Sequence, residues 1–420
     1  YLKQSIDKQG YQQESPDNWN PQDFLTKIPG LVQVEIEQRK VYIQSWLYMI
    51  RGIEGENVPV FFLDTDLPEN SAYDRSLSYY LYGGDEKYRL AQEIVLGIGG
   101  IRMLKELGFH DVFRYHMNEG HASLLSLELL NHHANQKENH WDIEQVKKKC
   151  VFTTHTPVPA GMDQFSYELV SQVLGEHVPF DLLKKLAGTG SLNMTQLALN
   201  LSHFINGVAK RHGMVSQEMF PGYHIDSITN GIHSNTWTGP SFSKLYDRYI
   251  PGWKSDPFSL RYALNIPDYD VWEAHQKAKE DLINYINQQN NSTFKKDIFT
   301  IGFARRATAY KRADLIFYDF NRLIDIARRK GKIQLVFAGK AHPKDHSGKK
   351  LIQRIIYESQ NTKEQVMITY LENYDMDLGK MMTAGVDLWL NTPRKPKEAS
   401  GTSGMKAAHN GVPSFSILDG

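Results

Sequence analysis

Residues 386–411 of this chain read Val386-Asp-Leu-Trp-Leu-Asn-Thr-Pro-Arg-Lys-Pro-Lys-Glu-Ala-Ser-Gly-Thr-Ser-Gly-Met-Lys-Ala-Ala-His-Asn-Gly411. The apolar run 386–390 is bounded by turn residues and predicts a buried strand. A proline break follows it, then a loop of glycine and hydroxyl residues. From about Thr402 the sequence is compatible with a helix. The same order, a buried strand followed at once by polar residues and then a helix, recurs along the chain.

The loop between this strand and this helix has the composition of an anion site. Glycines let a backbone approach a ligand closely, and N–H groups at a helix start with hydroxyls beside them can hold a phosphate. Lys406 falls one turn into the helix, where a lysine suits a Schiff base with pyridoxal phosphate. A solvated lysine in a Gly/Ser loop is the simpler interpretation. The glycine spacing excludes a Walker A loop, and neither Ser nor Thr follows the lysine.

The length, the charge and the cysteine count of the chain limit the classes of protein to which it can belong. The chain has 420 residues, enough for two domains, and acidic and basic residues are equal in number at 48 each. The resulting zero formal charge argues against a nucleic acid or an acidic membrane as the main partner. The single cysteine, Cys150, lies in an apolar context and predicts a core thiol rather than a disulfide framework.

Neither a run of about 18 apolar residues nor a signal peptide is visible, so a cytoplasmic location is expected by default. The chain starts with Tyr1 rather than Met and stops shortly after an apolar run. We therefore expect a fragment with a truncated C-terminal domain. Such a fragment should have little activity and limited solubility, because a domain cut within its sheet exposes apolar surface.

Strands and helices are predicted to alternate. The predicted strands are 31–36, 41–50, 58–63, 112–117, 150–154, 225–229, 298–303, 334–338, 366–370 and 386–390. Helices are predicted at 90–104, 121–132, 195–218, 270–289, 312–330 and 375–384. This alternation indicates an α/β fold with parallel sheets, in which ligands bind outside the carboxyl ends of the strands. The Pro-, Gly- and aromatic-rich segment 238–268 is interpreted as irregular structure near an interdomain connection.

Four basic residues follow the predicted strand 298–303, namely Arg305, Arg306, Lys311 and Arg312. A solvated helix face is the simpler interpretation. Against it, the cluster begins at a strand end and contains no acidic residue. Guanidinium forks and lysine point charges are how proteins hold phosphate. Four of them suggest two phosphates close together.

Histidines follow two other predicted strands. His116 and His121 fit no common zinc spacing, and no third ligand is indicated, so no metal is expected. His155 comes directly after the strand 150–154. Its position leaves two interpretations open, a structural histidine or one that hydrogen-bonds a substrate.

The string Glu398-Ala-Ser-Gly-Thr-x-x-Met-Lys406 closely resembles the cofactor-lysine motif of the α-glucan (glycogen) phosphorylase family. Further pieces in the family's order are Leu81–Asp85, Gln92–Gly100, Asn118–His121, Thr154–Pro157, Thr229–His233, Tyr310–Arg312 and Ala338–Lys340. Together they span almost the whole chain and resemble the shorter bacterial and archaeal branch. The resemblance implies two Rossmann-like domains of the GT-B type. Residues 1–225 would be a glucan-binding domain incomplete at its start, and 226–420 a truncated cofactor domain.

The resemblance also implies a cofactor and two phosphate sites. Lys406 would hold pyridoxal 5'-phosphate, with Thr402 and Lys311 on the cofactor phosphate and Tyr374 lining the site. The substrate phosphate would lie on Arg306. Arg305 stands where the family has lysine, so its role follows less directly.

Contacts to the sugar are implied for a further set, namely His155, Asn230, Tyr310, Glu398, Ser400 and Gly401. Asp85 is assigned to the loop that gates substrate access, whose sequence differs from that of the longer enzymes. The catalytic residues implied are Lys406, Arg306, Lys311 and His155.

The implied reaction is reversible, retaining phosphorolysis of the terminal α-1,4-linked glucose of a glucan. It uses inorganic phosphate and yields glucose 1-phosphate. The cofactor would act through its phosphate, which relays a proton through the substrate phosphate to the departing glycosidic oxygen. A homodimer is possible for the full-length protein. Two alternatives remain open: a nucleotide-sugar-dependent GT-B glucosyltransferase, and an inactive glucan-binding fragment. The first resembles this region but carries a second Glu where Lys406 stands.

Overall fold

The computed structural model describes residues 2–81, 83–135, 140–158, 161–360 and 364–420. Its contacts divide the chain into two compact units. One unit is Trp19–Thr229, called here the 19–229 unit. The other joins Tyr1–Asn18 to Asn230–Gly420 and is called the 230–420 unit.

The elements are named in chain order. The strands are β1 Leu2–Ile6, β2 Gln12–Pro16, β3 Thr26–Ile36, β4 Arg39–Arg51, β5 Asn57–Asp64, β6 Tyr115–Asn118, β7 Ala134–Asn135, β8 His140–Trp141, β9 Cys150–Thr153, β10 Gln164–Phe165, β11 Leu192–Asn193, β12 Phe204–Gly207, β13 Asp226–Ser227, β14 Phe299–Ala304, β15 Ile333–Ala338, β16 Val366–Leu371, β17 Leu388–Asn391 and β18 Ser414–Ser416.

The α-helices are α1 Ala72–Arg75, α2 Glu86–Ile94, α3 Gly100–Glu106, α4 Leu124–His132, α5 Ile143–Lys149, α6 Tyr167–Val173, α7 Phe180–Ala187, α8 Met194–Asn200, α9 Lys210–Met219, α10 Ser234–Trp237, α11 Pro240–Tyr249, α12 Asp268–Asn290, α13 Phe320–Lys330, α14 His346–Gln360, α15 Met376–Gly385 and α16 Thr402–Ala408. Short 3-10 turns lie at Pro21–Asp23, Ser76–Ser78, Gly120–Ala122, Pro257–Asn265, Ala309–Lys311 and Leu315–Phe317. None of the helices described is both long and apolar enough to cross a membrane.

The 19–229 unit is built on a parallel sheet in the order β13-β12-β9-β6, with an antiparallel sheet β3-β4-β5 beside it in the chain. Cys150 begins β9 and is fully buried, as predicted. The predicted helix 90–104 is confirmed as α2 and α3, joined by a π-helical turn over Val95–Gly99. Gly97 lets this turn approach α4 closely, because a Cβ there would lie 2.7 Å from the Leu125 nitrogen.

The single helix predicted at 195–218 is wrong. The structure has α8 and α9 there, with β12 between them. β12 is only four residues long and pairs in parallel with β9 and β13, with Ile205 and Asn206 buried. Four residues, Phe-Ile-Asn-Gly, are too few for hydrophobic periodicity to separate a strand from a helix segment.

The 230–420 unit has a parallel five-stranded sheet in the order β16-β15-β14-β17-β18. Asp387, just before β17, ties this sheet to α12. Its carboxylate accepts hydrogen bonds from Lys279 Nζ at 2.6 Å, His275 Nε2 at 2.8 Å and the Thr300 N–H at 2.7 Å. These contacts fix β14 and β17, the two strands whose following loops form the candidate site. The parallel sheets of both units confirm the predicted α/β class.

The predicted domain limits differ from the division in the structure. Residues 1–18 pack with the 230–420 unit, because the β1–β2 hairpin bonds the backbone beyond β15 and β16. Gln4 Nε2 donates to the Gly339 carbonyl at 2.9 Å, and Gln12 exchanges two hydrogen bonds of 2.9 Å with the backbone of Ala341. Polar glutamines in a weakly periodic stretch carry no sequence signal for such a contact.

Segment 238–268 is also more regular than predicted. It contains α11, with Pro240 at the first helical position, where a missing N–H costs nothing. Trp253 is fully buried in a small core with Phe242 and Tyr246. Several of its prolines lie at the starts of helices, and the division between the two units, at Thr229 and Asn230, falls shortly before the segment.

Candidate active site

The loops after β14 and β17 leave the same edge of one sheet. The two strands pair in parallel, with Ile301 opposite Leu388 and Gly302 opposite Trp389. Carboxyl ends of parallel neighbours meet, so the side chains that follow them converge. Arg305 and Glu398 therefore lie together although 93 positions separate them in the chain.

Glu398 is the centre of this cluster and is only 5% exposed. Arg305 holds both carboxylate oxygens, with Nη2–Oε1 and Nη1–Oε2 each 3.0 Å, and it also donates to Asn391 Oδ1. Lys311 Nζ donates to Oε2 at 2.5 Å. Burial raises the pKa of Glu398, but the charges of Arg305 and Lys311 outweigh burial and hold that pKa below its usual value. The carboxylate is therefore ionised.

The site around Lys311 carries more positive than negative charge. Its side chain is buried, and its pKa falls to about 8 because of burial first and the charge of Arg305 second, with Glu398 opposing both. Its Nζ also lies 4.6 Å from the centroid of the Tyr310 ring. One carboxylate is too little to neutralise two buried cations, and an anionic ligand would complete the balance.

The other two members of the predicted basic cluster have different positions. Arg306 is exposed, which leaves its guanidinium accessible to a ligand. Arg312 donates to the carbonyls of Thr392 and Pro393, each at 2.9 Å. Arg312 thus joins the two loops by bonding backbone carbonyls of the second one. It was predicted as part of a phosphate-binding cluster, but its guanidinium has this structural role instead.

Lys406 lies on α16, the helix predicted to start at about Thr402, which is confirmed. Its Nζ is 3.4 Å from the centroid of the Trp237 ring. Burial, followed by the charge of Arg305, lowers the pKa of Lys406, so a larger share of the amine is neutral near neutral pH than for an exposed lysine. Gly401, before the helix, adopts a left-handed φ of 68°, which favours glycine.

Tyr374, Ser400 and Asn230 are further predicted site residues of the 230–420 unit. Tyr374 is half-buried, and burial raises its pKa to about 12, so it stays a neutral donor. A Cβ added at Gly379 would lie 2.9 Å from the Tyr374 hydroxyl and 3.5 Å from Trp237, which places these two rings side by side. The buried Ser400 hydroxyl has no hydrogen-bond partner in the part of the chain described. Asn230 belongs to the same unit but takes no part in these contacts.

His155 lies in the 19–229 unit, after β9. The backbone N–H of His155 donates to Glu119 Oε2 at 2.7 Å, and the Thr156 hydroxyl donates to the same oxygen at 2.8 Å. Glu119 adopts a backbone φ of 74°, which is unusual for a residue other than Gly or Asn. Its Oε1 accepts the Gly120 N–H at 2.9 Å. Burial lowers the pKa of His155 although Glu119 opposes it, so the imidazole is neutral near neutral pH.

We expect Glu119→Ala to free the loop that carries His155. The substitution removes three acceptor contacts, and a hydrogen bond to a charged group contributes roughly 1.5–3 kcal/mol. Amide hydrogen exchange of the peptide 150–158 should therefore rise strongly, with a smaller rise for Glu119→Gln, which keeps one acceptor. Unchanged protection at His155 in Glu119→Ala would show that the carboxylate does not hold this loop.

Two further predictions concern this unit. Asp85 is the N-cap of α2, accepting the Tyr88 N–H at 2.9 Å, and Tyr82 of the predicted gating loop lies outside the described residues.

No group of three or more His, Cys, Asp or Glu in the described ranges is placed to hold a metal ion. His116 instead bonds Thr153 Oγ1 at 2.7 Å.

Sequence reasoning missed Trp237, Asn391, Asn410 and the role of Glu119. Asn410 follows Lys406 by four positions, the spacing of neighbours on one helix face, which was a usable signal. Trp237 is 169 positions from Lys406 and carries no local signal for that contact.

The family model for carbohydrate phosphorylases matches residues 180–420. A maltodextrin phosphorylase of Thermococcus litoralis is 38% identical over 458 aligned positions, covering 100% of this chain and 54% of that protein. A glycogen phosphorylase of Aquifex aeolicus is 35% identical, with 100% and 66% covered, and one of Mycobacterium tuberculosis is 32% identical, with 100% and 55% covered.

The chain thus spans between 54% and 66% of the length of these relatives. The family match covers more than half of the chain and includes β14, β17 and the loops that hold Arg305, Glu398 and Lys406. The chain therefore belongs to the carbohydrate phosphorylase family.

Proposed function

We propose that this chain is part of an α-1,4-glucan phosphorylase, which transfers the terminal glucosyl unit reversibly to inorganic phosphate with retained configuration. One observation carries the proposal: the cations Arg305 and Lys311 share the single carboxylate of Glu398, while Arg306 and Lys406 lie beside them. A site with this excess of positive charge suits two phosphates held close together. The names of the three relatives described above support the same reaction.

The residues present fit pyridoxal phosphate. Lys406 supplies a half-buried amine of lowered pKa, as attachment to an aldehyde requires, and the buried Ser400 hydroxyl is free for a new hydrogen bond within the described structure. Thr402 and Lys311 are proposed to hold the cofactor phosphate, with Tyr374 and Trp237 along its sides. When bound, the cofactor supplies a phosphate that exchanges a proton with the substrate phosphate.

The chain's own residues have three tasks in this proposal. Arg306, which is exposed, binds the substrate phosphate, and Arg305 sets the orientation of Glu398 through its two contacts. Glu398, Ser400, Gly401 and Asn230 are proposed to contact the glucosyl unit, with Tyr310 lining the site. His155 in the 19–229 unit is proposed to hydrogen-bond the sugar as a neutral imidazole.

The test is an assay of a protein that spans the full length of the relatives. With maltodextrin, inorganic phosphate and pyridoxal phosphate, we expect glucose 1-phosphate to form, and we expect no glucan extension from UDP-glucose. Extension from UDP-glucose without phosphate dependence would favour the nucleotide-sugar alternative. Glucan binding without turnover in either assay would favour a binding role.

The lowered pKa of Lys311 predicts a pH dependence of anion binding. Below about pH 8 the lysine is charged and attracts phosphate, and above that pH it loses the charge while inorganic phosphate keeps its own. Without pyridoxal phosphate, inorganic phosphate can occupy the site proposed for the cofactor phosphate at Lys311. Its binding to the cofactor-free chain should therefore weaken by about tenfold between roughly pH 8 and 9.5, measured by calorimetry. Lys311→Arg, which stays charged, should flatten the profile. An equally steep decline in Lys311→Arg would assign the titration to another group.

A further inference from the structure

We propose that Asn410 is a positioning residue, whose side-chain amide fixes the Trp237 indole against the Lys406 amine. This inference rests on the proposed function, in which Lys406 carries the cofactor. It concerns a different residue and a different step, the preparation of the amine before any cofactor arrives.

The Asn410 amide is completely buried, and each of its polar atoms is used. Nδ2 donates to the Trp237 carbonyl and to the Lys406 carbonyl, each at 2.8 Å. Oδ1 accepts the Gly239 N–H at 2.6 Å. One amide group therefore bridges the end of α10 and the middle of α16, and it sets the distance between the two backbones that carry the ring and the amine.

Neighbouring contacts hold the end of α16 to α10 and to α11 without touching the pair itself. His409 Nε2 lies 2.8 Å from Ser234 Oγ, and the Tyr246 hydroxyl donates to the His409 carbonyl at 2.7 Å. Loss of the Asn410 bridge should therefore shift Trp237 relative to Lys406 without separating the helices.

The contact that the bridge maintains is sensitive to such a shift. The Lys406 Nζ lies 3.4 Å from the Trp237 ring centroid, so the ring covers the amine. A ring face attracts an ammonium and so favours the charged form, but the burial of the amine opposes that effect and is the larger of the two, because the pKa of Lys406 is lowered. Lysine has a long, flexible stem, so a fixed ring face restricts the positions its amine can take. The ring also keeps water from one side of the amine. This matters because burial is the main cause of the lowered pKa of Lys406.

Asn410→Asp removes the bridge, because the side chain keeps its shape and its acceptor for Gly239 while Nδ2, the one atom that donates both bonds, becomes an oxygen facing two carbonyls. The chain offers a matched control in Asn70, a buried asparagine of the 19–229 unit. Its Nδ2 donates to the Tyr42 and Thr65 carbonyls, each at 2.8 Å, and its Oδ1 accepts the Tyr42 N–H at 2.8 Å. Asn70→Asp thus makes the same chemical change far along the chain from Lys406.

The readout is reductive methylation of the cofactor-free chain by formaldehyde at about pH 8, followed by peptide mass spectrometry of Lys406. Only the neutral amine reacts, so a rise of one pKa unit slows the reaction about tenfold. We expect Asn410→Asp to slow methylation of Lys406 by about tenfold relative to the surface lysines, and Asn70→Asp to leave it unchanged. Trp237→Leu should slow it by a similar factor, and the double variant should add little, because both act on one contact.

An unchanged Lys406 rate in folded Asn410→Asp, or single effects that multiply in the double variant, would overturn the proposal. If Asn410→Asp does not fold, Trp237→Leu decides, and an unchanged rate there is equally contradictory. Formaldehyde has no phosphate and does not depend on the cofactor site. Failure of wild-type protein to take up pyridoxal phosphate, with the methylation contrast intact, would therefore reject the proposed function and leave the role of Asn410 standing.

Discussion

Lys406→Ala in a protein spanning the full length of the relatives should lower phosphorolysis by roughly 10²–10⁴-fold, the range of a lost acid–base catalyst. The reason is that the cofactor, which supplies the proton-transferring phosphate in the proposed reaction, loses its attachment. Lys406→Arg is the matched control, because it keeps a positive charge near Arg305 and Trp237 but cannot bind an aldehyde. We expect both variants to lose activity and the absorbance of bound cofactor together.

Retention of most of the activity in Lys406→Arg would contradict this account. It would show that Lys406 contributes its charge rather than a covalent attachment. Glucose 1-phosphate formation and cofactor absorbance, measured on the same samples, separate these two outcomes.

Glu398→Gln should have the largest effect on the stability of the chain itself. The carboxylate is 5% exposed and is shared by Arg305 and Lys311, so its removal leaves two buried cations without their counter-charge. Breaking a buried ion pair from one side costs about 3–5 kcal/mol of unfolding free energy. We expect a loss of about 3 kcal/mol in urea unfolding, and we expect inorganic phosphate to restore more stability to the variant than to the wild type.

Glu93→Gln is the matched control for this measurement. Glu93 is also buried, but burial first, and the charge of Asp163 second, raise its pKa well above the usual value, although Arg89 lies 3.0 Å away. A protonated carboxyl and an amide carry the same charge, so this variant should lose less than about 1 kcal/mol. Similar losses in the two variants would show that Glu398 does not act through its charge.

The strand ends that build the site are the part that sequence patterns predicted best. Short apolar runs ahead of Arg305 and Glu398 indicated two buried strands, and parallel pairing then brought the following residues together. The helix bearing Lys406 was predicted from the glycine and hydroxyl residues before it. These signals are local. Each of these strands and the helix is determined by residues adjacent in the sequence, so the pattern was sufficient to predict it.

Long-range packing explains what the sequence did not reveal. Trp237 meets Lys406 only because α10 is tied to α16, and nothing in the residues around Trp237 encodes that contact. Arg312 has the same chemistry as Arg306, yet it binds backbone carbonyls of the neighbouring loop. Residue type alone cannot separate a ligand-binding arginine from a structural one, since both offer the same guanidinium donors.

In the proposed function, Lys406 is the attachment site of pyridoxal phosphate. The most direct test is to incubate the protein with pyridoxal phosphate, reduce with borohydride, and locate the adduct by peptide mass spectrometry. We predict an adduct confined to Lys406, in this chain and in a protein of the relatives' full length. A folded full-length protein with no adduct at Lys406, or with adducts spread equally over surface lysines, would contradict the claim.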